Sequence, residues 1–262
     1  MPFDPRSPSP VERLQQELPA LDPAGRLALL RRSVEGPIVF TTSLGLEDQA
    51  IAHLIFTAGL AIEVATLDTG RLFPETYALW AETEARYGRR IRAFYPRQEA
   101  VEALVADQGI DGFYHAIEAR KACCHVRKVE PLGRALKGAS AWVTGLRAEQ
   151  SAHRGGLELA TWDQGHGLIK VSPLFDWSRE AVAAFVEREG VPVNPLHARG
   201  FPSIGCAPCT RAVAPGEPER AGRWWWESEG RDGAGSECGL HLTPDGRLVR
   251  AARGAPRGEA VS

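Results

Sequence analysis

The 262 residues are 44% hydrophobic and 24% charged, ordinary globular proportions that exclude a wholly disordered, collagenous or coiled-coil chain. With 31 basic against 33 acidic residues the net charge is -2, so sequence-independent attraction to nucleic acid or to an anionic membrane surface has no basis. The longest run without Asp, Glu, Lys or Arg, Gln49 to Ile62, is 14 residues and includes His53, too short for a plain membrane span. An amino terminus carrying acid and proline, where a leader would be basic and then apolar, predicts no export and a cytoplasmic location.

Residues 1–35 form an N-terminal helical segment. Leu14, Leu18 and Leu21, then Leu27, Leu30 and Val34, mark two short amphipathic helices expected to pack on the outside. From Gly36 the pattern alternates. Strand candidates at 37–43, 62–67, 90–96, 141–146 and 168–174 are separated by helical stretches; the first helix places Ile51, Leu54, Ile55 and Ala58 on one face. Further helices are expected at 74–87, 98–108, 128–137 and 178–189. This spacing predicts an α/β domain over 36–210, with a mostly parallel sheet covered by helices on both faces. Ligands of such sheets bind beyond the strand carboxyl ends, where Ser43–Asp48, Asp68–Arg71 and Gly145–Arg154 should converge. After Gly190 proline, glycine and arginine dominate, and residues 211–262 read as a tail with a short helix around Glu217–Ser228. No repeat is visible.

The loop Ser43-Leu-Gly-Leu-Glu-Asp48 leaves a strand and opens a helix, so its N–H groups and the helix dipole suit an anion. It is neither a Walker loop nor GxGxxG, and a helix cap at Ser43 with a turn at Gly45 accounts for it equally well. The five cysteines are clustered: Cys123 and Cys124 are adjacent, Cys206 and Cys209 form CxxC, and Cys238 stands alone. In a reducing compartment this pattern indicates metal and catalysis. Four thiolates suit zinc or an iron–sulfur cluster; neighbouring cysteines diverge, which favours a cube with separate corners over one tetrahedral ion. Arg120, Lys121, Arg127 and Lys128 would offset the cluster's charge, although part of this set is a solvated helix face.

Cys238, with His241 three residues on and glycines upstream, is a candidate nucleophile. Arg220 and Arg223 are spaced to present two anion forks on one side of a turn, while the adjacent tryptophans read as packing residues. His53, His115, His153, His166 and His197 lack ligand spacing and are read as surface or internally satisfied. His125 adjoins the cysteine pair, where four thiolates already fill the site.

Taken together, SLGLEDQ (43–49), LDTGRLFPETY (67–77), KACCHVRKVEPL (121–132), VTGLRAEQS (143–151), GCAPCTR (205–211), ERAGRWWWE (219–227) and ECGLH (237–241) resemble the assimilatory adenylyl-sulfate (APS) reductases of the phosphoadenylyl-sulfate (PAPS) reductase family. The resemblance implies an adenine-nucleotide α-hydrolase-like fold with a five-stranded sheet. It also implies reduction of APS to sulfite and AMP, in sulfate assimilation towards cysteine, with electrons from reduced thioredoxin or glutaredoxin. Cys238 would carry an S-sulfo intermediate, with His241 and Lys128 as further catalytic residues. Ser43, Gly45, Asp48, Thr69, Gly70, Arg71, Gly145, Arg147, Arg220 and Arg223 would bind substrate, and Cys123, Cys124, Cys206 and Cys209 would ligate a [4Fe-4S] cluster.

The four cluster cysteines favour APS; reduction of PAPS, or of both, is the alternative. A zinc-stabilised nucleotide-binding module without reductase activity is the different-class reading. An ATP-pyrophosphatase-type enzyme is disfavoured, since SGGxDS is lacking and ECGLH is present. The ten residues Ser228–Glu237 are longer and richer in glycine than the family pattern, which bears on the reach of the tail. Oligomeric state stays open, a homo-oligomer included.

Overall fold

Each of the first two helices opens on a proline and is capped by an oxygen side chain. The computed structural model describes residues 9–150 and 158–230. Ser9 accepts from the Glu12 N–H at the start of α1 (Pro10–Glu17), and Asp22 accepts from the Gly25 N–H at the start of α2 (Pro23–Ser33). Leu14, Leu18, Leu27 and Leu30 join Ile38 and Phe40 in one buried cluster. This segment is therefore part of the main core, not an outer layer as its sequence suggests.

The alternation then continues through β1 (Ile38–Thr42), α3 (Leu46–Thr57), β2 (Glu63–Leu67), α4 (Pro74–Tyr87), β3 (Arg92–Phe94), α5 (Gln98–Gln108), α6 (Ile117–Cys124), α7 (Glu130–Ala135), β4 (Ala141–Val143), β5 (Ala160–Asp163), β6 (Leu168–Val171) and α8 (Arg179–Arg188). The sheet order is β3-β2-β1-β4-β6-β5, parallel except for β5, which pairs antiparallel with β6. Apolar, β-branched strands such as Ile38-Val-Phe-Thr-Thr42 suit a sheet covered on both faces. The sheet has six strands where five are legible. Ala160-Thr-Trp-Asp163 is a four-residue edge strand with too few positions to show an alternation, and pairing with β6 creates it.

Two further segments differ from expectation. The helix expected at 128–137 already begins at Ile117; α6 passes through a π-helical stretch, His125–Val129, into α7, and Lys128 sits in that stretch. Such widened turns recur at functional sites. No α-helix forms over Glu217–Ser228. Backbone pairing of Thr210 with Arg223 and of the Arg211 N–H with the Gly222 carbonyl holds the segment in tight turns, followed by a 3-10 turn at Trp225–Gly230. A Cβ on Gly222 would lie 2.2 Å from the Arg211 carbonyl, so this close approach requires glycine.

Candidate active site

β1 pairs with β2 on one side and β4 on the other, so chain direction across the sheet reverses there and a crevice opens beyond the strand ends. Loops after β1, β2 and β4 wall it together with Lys128, His197, Glu219, Arg220 and Arg223. Of the residues expected to bind substrate, Ser43, Gly45, Asp48, Thr69, Gly145, Arg220 and Arg223 line this crevice, as does Lys128, expected to be catalytic; Arg147 does not. Cys238 and His241 lie outside the described residues.

The Ser43–Asp48 loop carries its own anion. The Ser43 N–H and hydroxyl donate to the same Asp48 oxygen at 2.5 and 2.7 Å. Burial pushes the Asp48 carboxyl up to about 6, against the pull of those two hydrogen bonds. The sharp reversal is made by Leu44, in the left-handed region at φ 60°, with its N–H on the Thr42 hydroxyl; Gly45 has an ordinary φ of -75° and precedes α3. Gly145 closes against Asp48 from β4: a Cβ there would lie 2.0 Å from the carboxylate.

Arg147 is fully buried, and its guanidinium donates to Glu47 at 2.7 Å, Glu149 at 3.2 Å and Glu219 at 3.0 Å. Arg179 holds the other Glu219 oxygen, and Gln150 also donates to Glu47. Arg147 thus ties the β1, β4 and carboxyl-terminal walls together. Arg71 likewise sits away from the crevice: it donates to the Ile110 carbonyl and Asp111 and lies over the Phe113 ring, beside the cysteines. Gly70, at φ 69°, donates its N–H to Asp68, and Arg127 donates to the Thr69 carbonyl at 2.7 Å.

The fold brings Cys123, Cys124, Cys206 and Cys209 around one small cavity, which shares Lys128, Arg223 and Trp224 with the crevice. The Thr69 hydroxyl lies 3.3 Å from Cys206 Sγ. Burial pushes the Cys206 thiol up, yet Lys128, Thr69, Arg223 and Arg127 together outweigh it and bring the net shift below the ordinary thiol range. Burial and then the Cys206 charge push Cys209 up to about 12. Burial also raises Cys123, in spite of Arg127. Among the described residues no three His, Cys, Asp or Glu side chains are placed to hold a single metal ion.

Three features of this region escape sequence reasoning. Trp224 adopts φ 48° and lies under two guanidinium groups, Arg120 at 4.6 Å and Arg223 at 4.8 Å from its ring. Arg120, 1% exposed, forms a two-pronged pair with Glu227, whose side chain is 6% exposed. His197, set aside on spacing, lines the crevice. Only the motif ERAGRWWWE, rich in both arginine and tryptophan, hinted at the first two.

The profile of the "Phosphoadenosine phosphosulfate reductase domain" matches residues 37–212. The chain belongs to this family. Among similar proteins, adenosine 5'-phosphosulfate reductase of Sinorhizobium fredii (strain USDA 257) is 56% identical over 232 residues, 88% of this chain and 90% of the relative. Its counterpart in Allochromatium vinosum is 54% identical over 78% of each chain. The solved structure of PAPS reductase from Candida auris, a phosphate complex, superposes with a TM-score of 0.65 at 26% identity, covering 81% of this chain and 99% of that one. The family match spans the crevice loops and all four clustered cysteines but ends before Arg220, Arg223 and the Trp224–Glu227 anchor.

Proposed function

We propose that this family member reduces adenylyl sulfate to sulfite and AMP in sulfate assimilation; its relatives at 54–57% identity are named adenosine 5'-phosphosulfate reductase. The observation that carries the reading is the junction of crevice and cysteine cavity. Lys128 and Arg223 line both, and Arg220 joins them in the crevice, so cations collect where a phosphosulfate would gather negative charge. The α3 amino terminus, held by the Asp48–Ser43 contacts, adds the first-turn N–H groups that have no intrahelical partner.

In the proposed reaction the Cys238 thiolate attacks the sulfur of the sulfo group, the sulfur–oxygen bond to the phosphate breaks, and AMP leaves with the electron pair. A thioredoxin or glutaredoxin thiolate then attacks Cys238 Sγ and expels sulfite. The donor's second thiol resolves the mixed disulfide, which returns Cys238 as a thiol and leaves the donor oxidised. Lys128, Arg220 and Arg223 would hold the phosphosulfate, and His241 would support Cys238. The reaction is assigned to a reducing cytoplasm; among the described residues no helix is long and apolar enough to cross a membrane.

Cys123, Cys124, Cys206 and Cys209 fit a [4Fe-4S] cluster. They line one cavity that Arg71, Arg120, Arg127, Lys128 and Arg223 also line, and the buried Arg127 Nε and Trp224 Nε1 beside it have no acceptor. When bound, the cluster supplies a fixed negative core that orders these cations at the substrate; the electrons come from the thiol donor.

The test compares sulfite release from APS and PAPS by anaerobically purified protein with reduced thioredoxin. Brown protein with about four irons, a strong APS preference and a Cys238→Ser variant that binds AMP without releasing sulfite are expected. Colourless protein inactive on both substrates would overturn the reading.

A further inference from the structure

Trp224 holds its backbone at φ 48° although it is not glycine. A bulky residue is strained in that region and stays there only where its surroundings over-determine it. Three contacts do so here. The Trp224 N–H donates to the Cys209 carbonyl at 3.3 Å, the ring joins Phe113 and three of the cysteines in a buried cluster, and the Arg120 guanidinium lies over the ring at 4.6 Å.

Arg120 is the rigid member of this set. It stands on α6 one turn before Cys124, is 1% exposed, and reaches Glu227 with two prongs, Nε to Oε1 at 2.7 Å and Nη2 to Oε2 at 3.0 Å. A fork of this kind fixes both the place and the plane of a guanidinium. The Glu227 carboxylate also offsets the Arg120 charge, so a second cation can use the same indole.

That second cation is Arg223, whose guanidinium lies 4.8 Å from the centre of the Trp224 ring. Its Nε donates to the Cys209 carbonyl at 3.3 Å, and a Cβ on Gly205 would lie 2.2 Å from its Nη2. The indole and the Gly205 backbone thereby set the guanidinium where the crevice meets the cysteine cavity, both of which Arg223 and Trp224 line. Arg120 lines the cavity but not the crevice, so its influence on a nucleotide passes through Trp224.

We propose that Arg120 is a positioning residue for Arg223: clamped by Glu227, it keeps Trp224 in its left-handed conformation, and the indole presents the Arg223 guanidinium to the anionic end of the substrate. The proposal rests on the reading above that Arg223 meets the phosphosulfate, and it adds what keeps that cation in place.

The experiment uses anaerobically purified protein carrying Cys238→Ser, which leaves APS intact, and reads the affinity for APS relative to that for adenosine, with iron content and thermal unfolding beside it. Arg223→Ala should lower this ratio about tenfold or more, the worth of a charge-assisted hydrogen bond. Arg120→Leu with Glu227→Leu, which leaves neither buried charge unpaired, should lower it about three- to tenfold. Once Arg223 is alanine the same pair of changes should have under about a twofold further effect, because coupled contacts are not additive.

A ratio unchanged by the Arg120–Glu227 replacement, an equal loss with and without Arg223, or a loss that appears only in step with lost iron would overturn the proposal. If that double replacement does not fold, Trp224→Phe decides: its smaller ring should lower the ratio in protein with Arg223 and not in protein without it, and an unchanged ratio overturns the inference. A ratio that Arg223→Ala itself leaves unchanged would overturn the reading of Arg223 as a phosphosulfate contact, and the proposal with it.

Discussion

Replacing Arg147 by leucine keeps most of the buried volume but removes the cation that Glu47, Glu149 and Glu219 share. The side chains of Glu47 and Glu219 are 12% and 23% exposed, whereas Glu149 is 61% exposed and can turn to water. Glu149 therefore contributes under about 1 kcal/mol. Depriving the buried Glu47 of its cation should cost about 3–5 kcal/mol, whereas Glu219 keeps Arg179. At about 2–4 °C per kcal/mol for a domain of this size, Tm should fall by about 6–20 °C at pH 7.5. Arg147→Lys, which keeps the charge but lacks the three-way fork, should fall between. Thermal unfolding at pH 7.5, beside AMP binding, measures this. A Tm loss under about 2 °C together with abolished AMP binding would refute the reasoning, because Arg147 would then serve the substrate directly.

The other predictions concern the same walls. Burial pushes the Asp48 carboxyl from the ordinary 3.8 up to about 6 in the folded protein, so its contribution to stability is fully present below pH 3.8 and lost as pH rises through about 6. Asp48→Asn should remove that slope: urea unfolding should show the variant gaining on wild type between pH 4 and 7, by up to about 3 kcal/mol, and a parallel pH dependence would refute it. Gly145→Ala places a methyl 2.0 Å from Asp48, which must break the Asp48–Ser43 contacts or shift β4. Stability should fall by about 1–3 kcal/mol and AMP affinity with it; a silent substitution would show that the loop gives way freely. Glu227→Ala takes the carboxylate from the buried Arg120 and should cost about 3–5 kcal/mol, while Arg120→Leu with Glu227→Leu should restore much of it. A double variant no better than the single one would mean that the pair's geometry, not its charge balance, matters.

Much of the architecture is local and therefore legible. The helices at Pro74–Tyr87 and Gln98–Gln108 have the limits their periodicity predicts, because apolar spacing, an opening proline and closing glycines such as Gly88 act within a few residues. The five long strand candidates all form, and the cysteines 82 residues apart that the motif pattern grouped line one cavity.

Side-chain partners were not legible. Arg71 and Arg147 stand in loops that a substrate would approach, and a guanidinium reads the same in sequence whether it meets a phosphate or a carboxylate. Only the fold brings Glu47 and Glu219, 100 and 72 residues away, onto Arg147. The same holds for Leu44 taking the turn expected of Gly45, since burial of its side chain offsets the left-handed strain. His197 follows the same logic: its isolated position carries no ligand spacing, and only the fold sets it in the crevice wall. The amino-acid sequence by itself determined the periodic elements and the types of reactive residue, which depend on neighbours along the chain. The tertiary structure alone decided which charges are neutralised and which donors and acceptors stay open, because those depend on groups that meet only after folding.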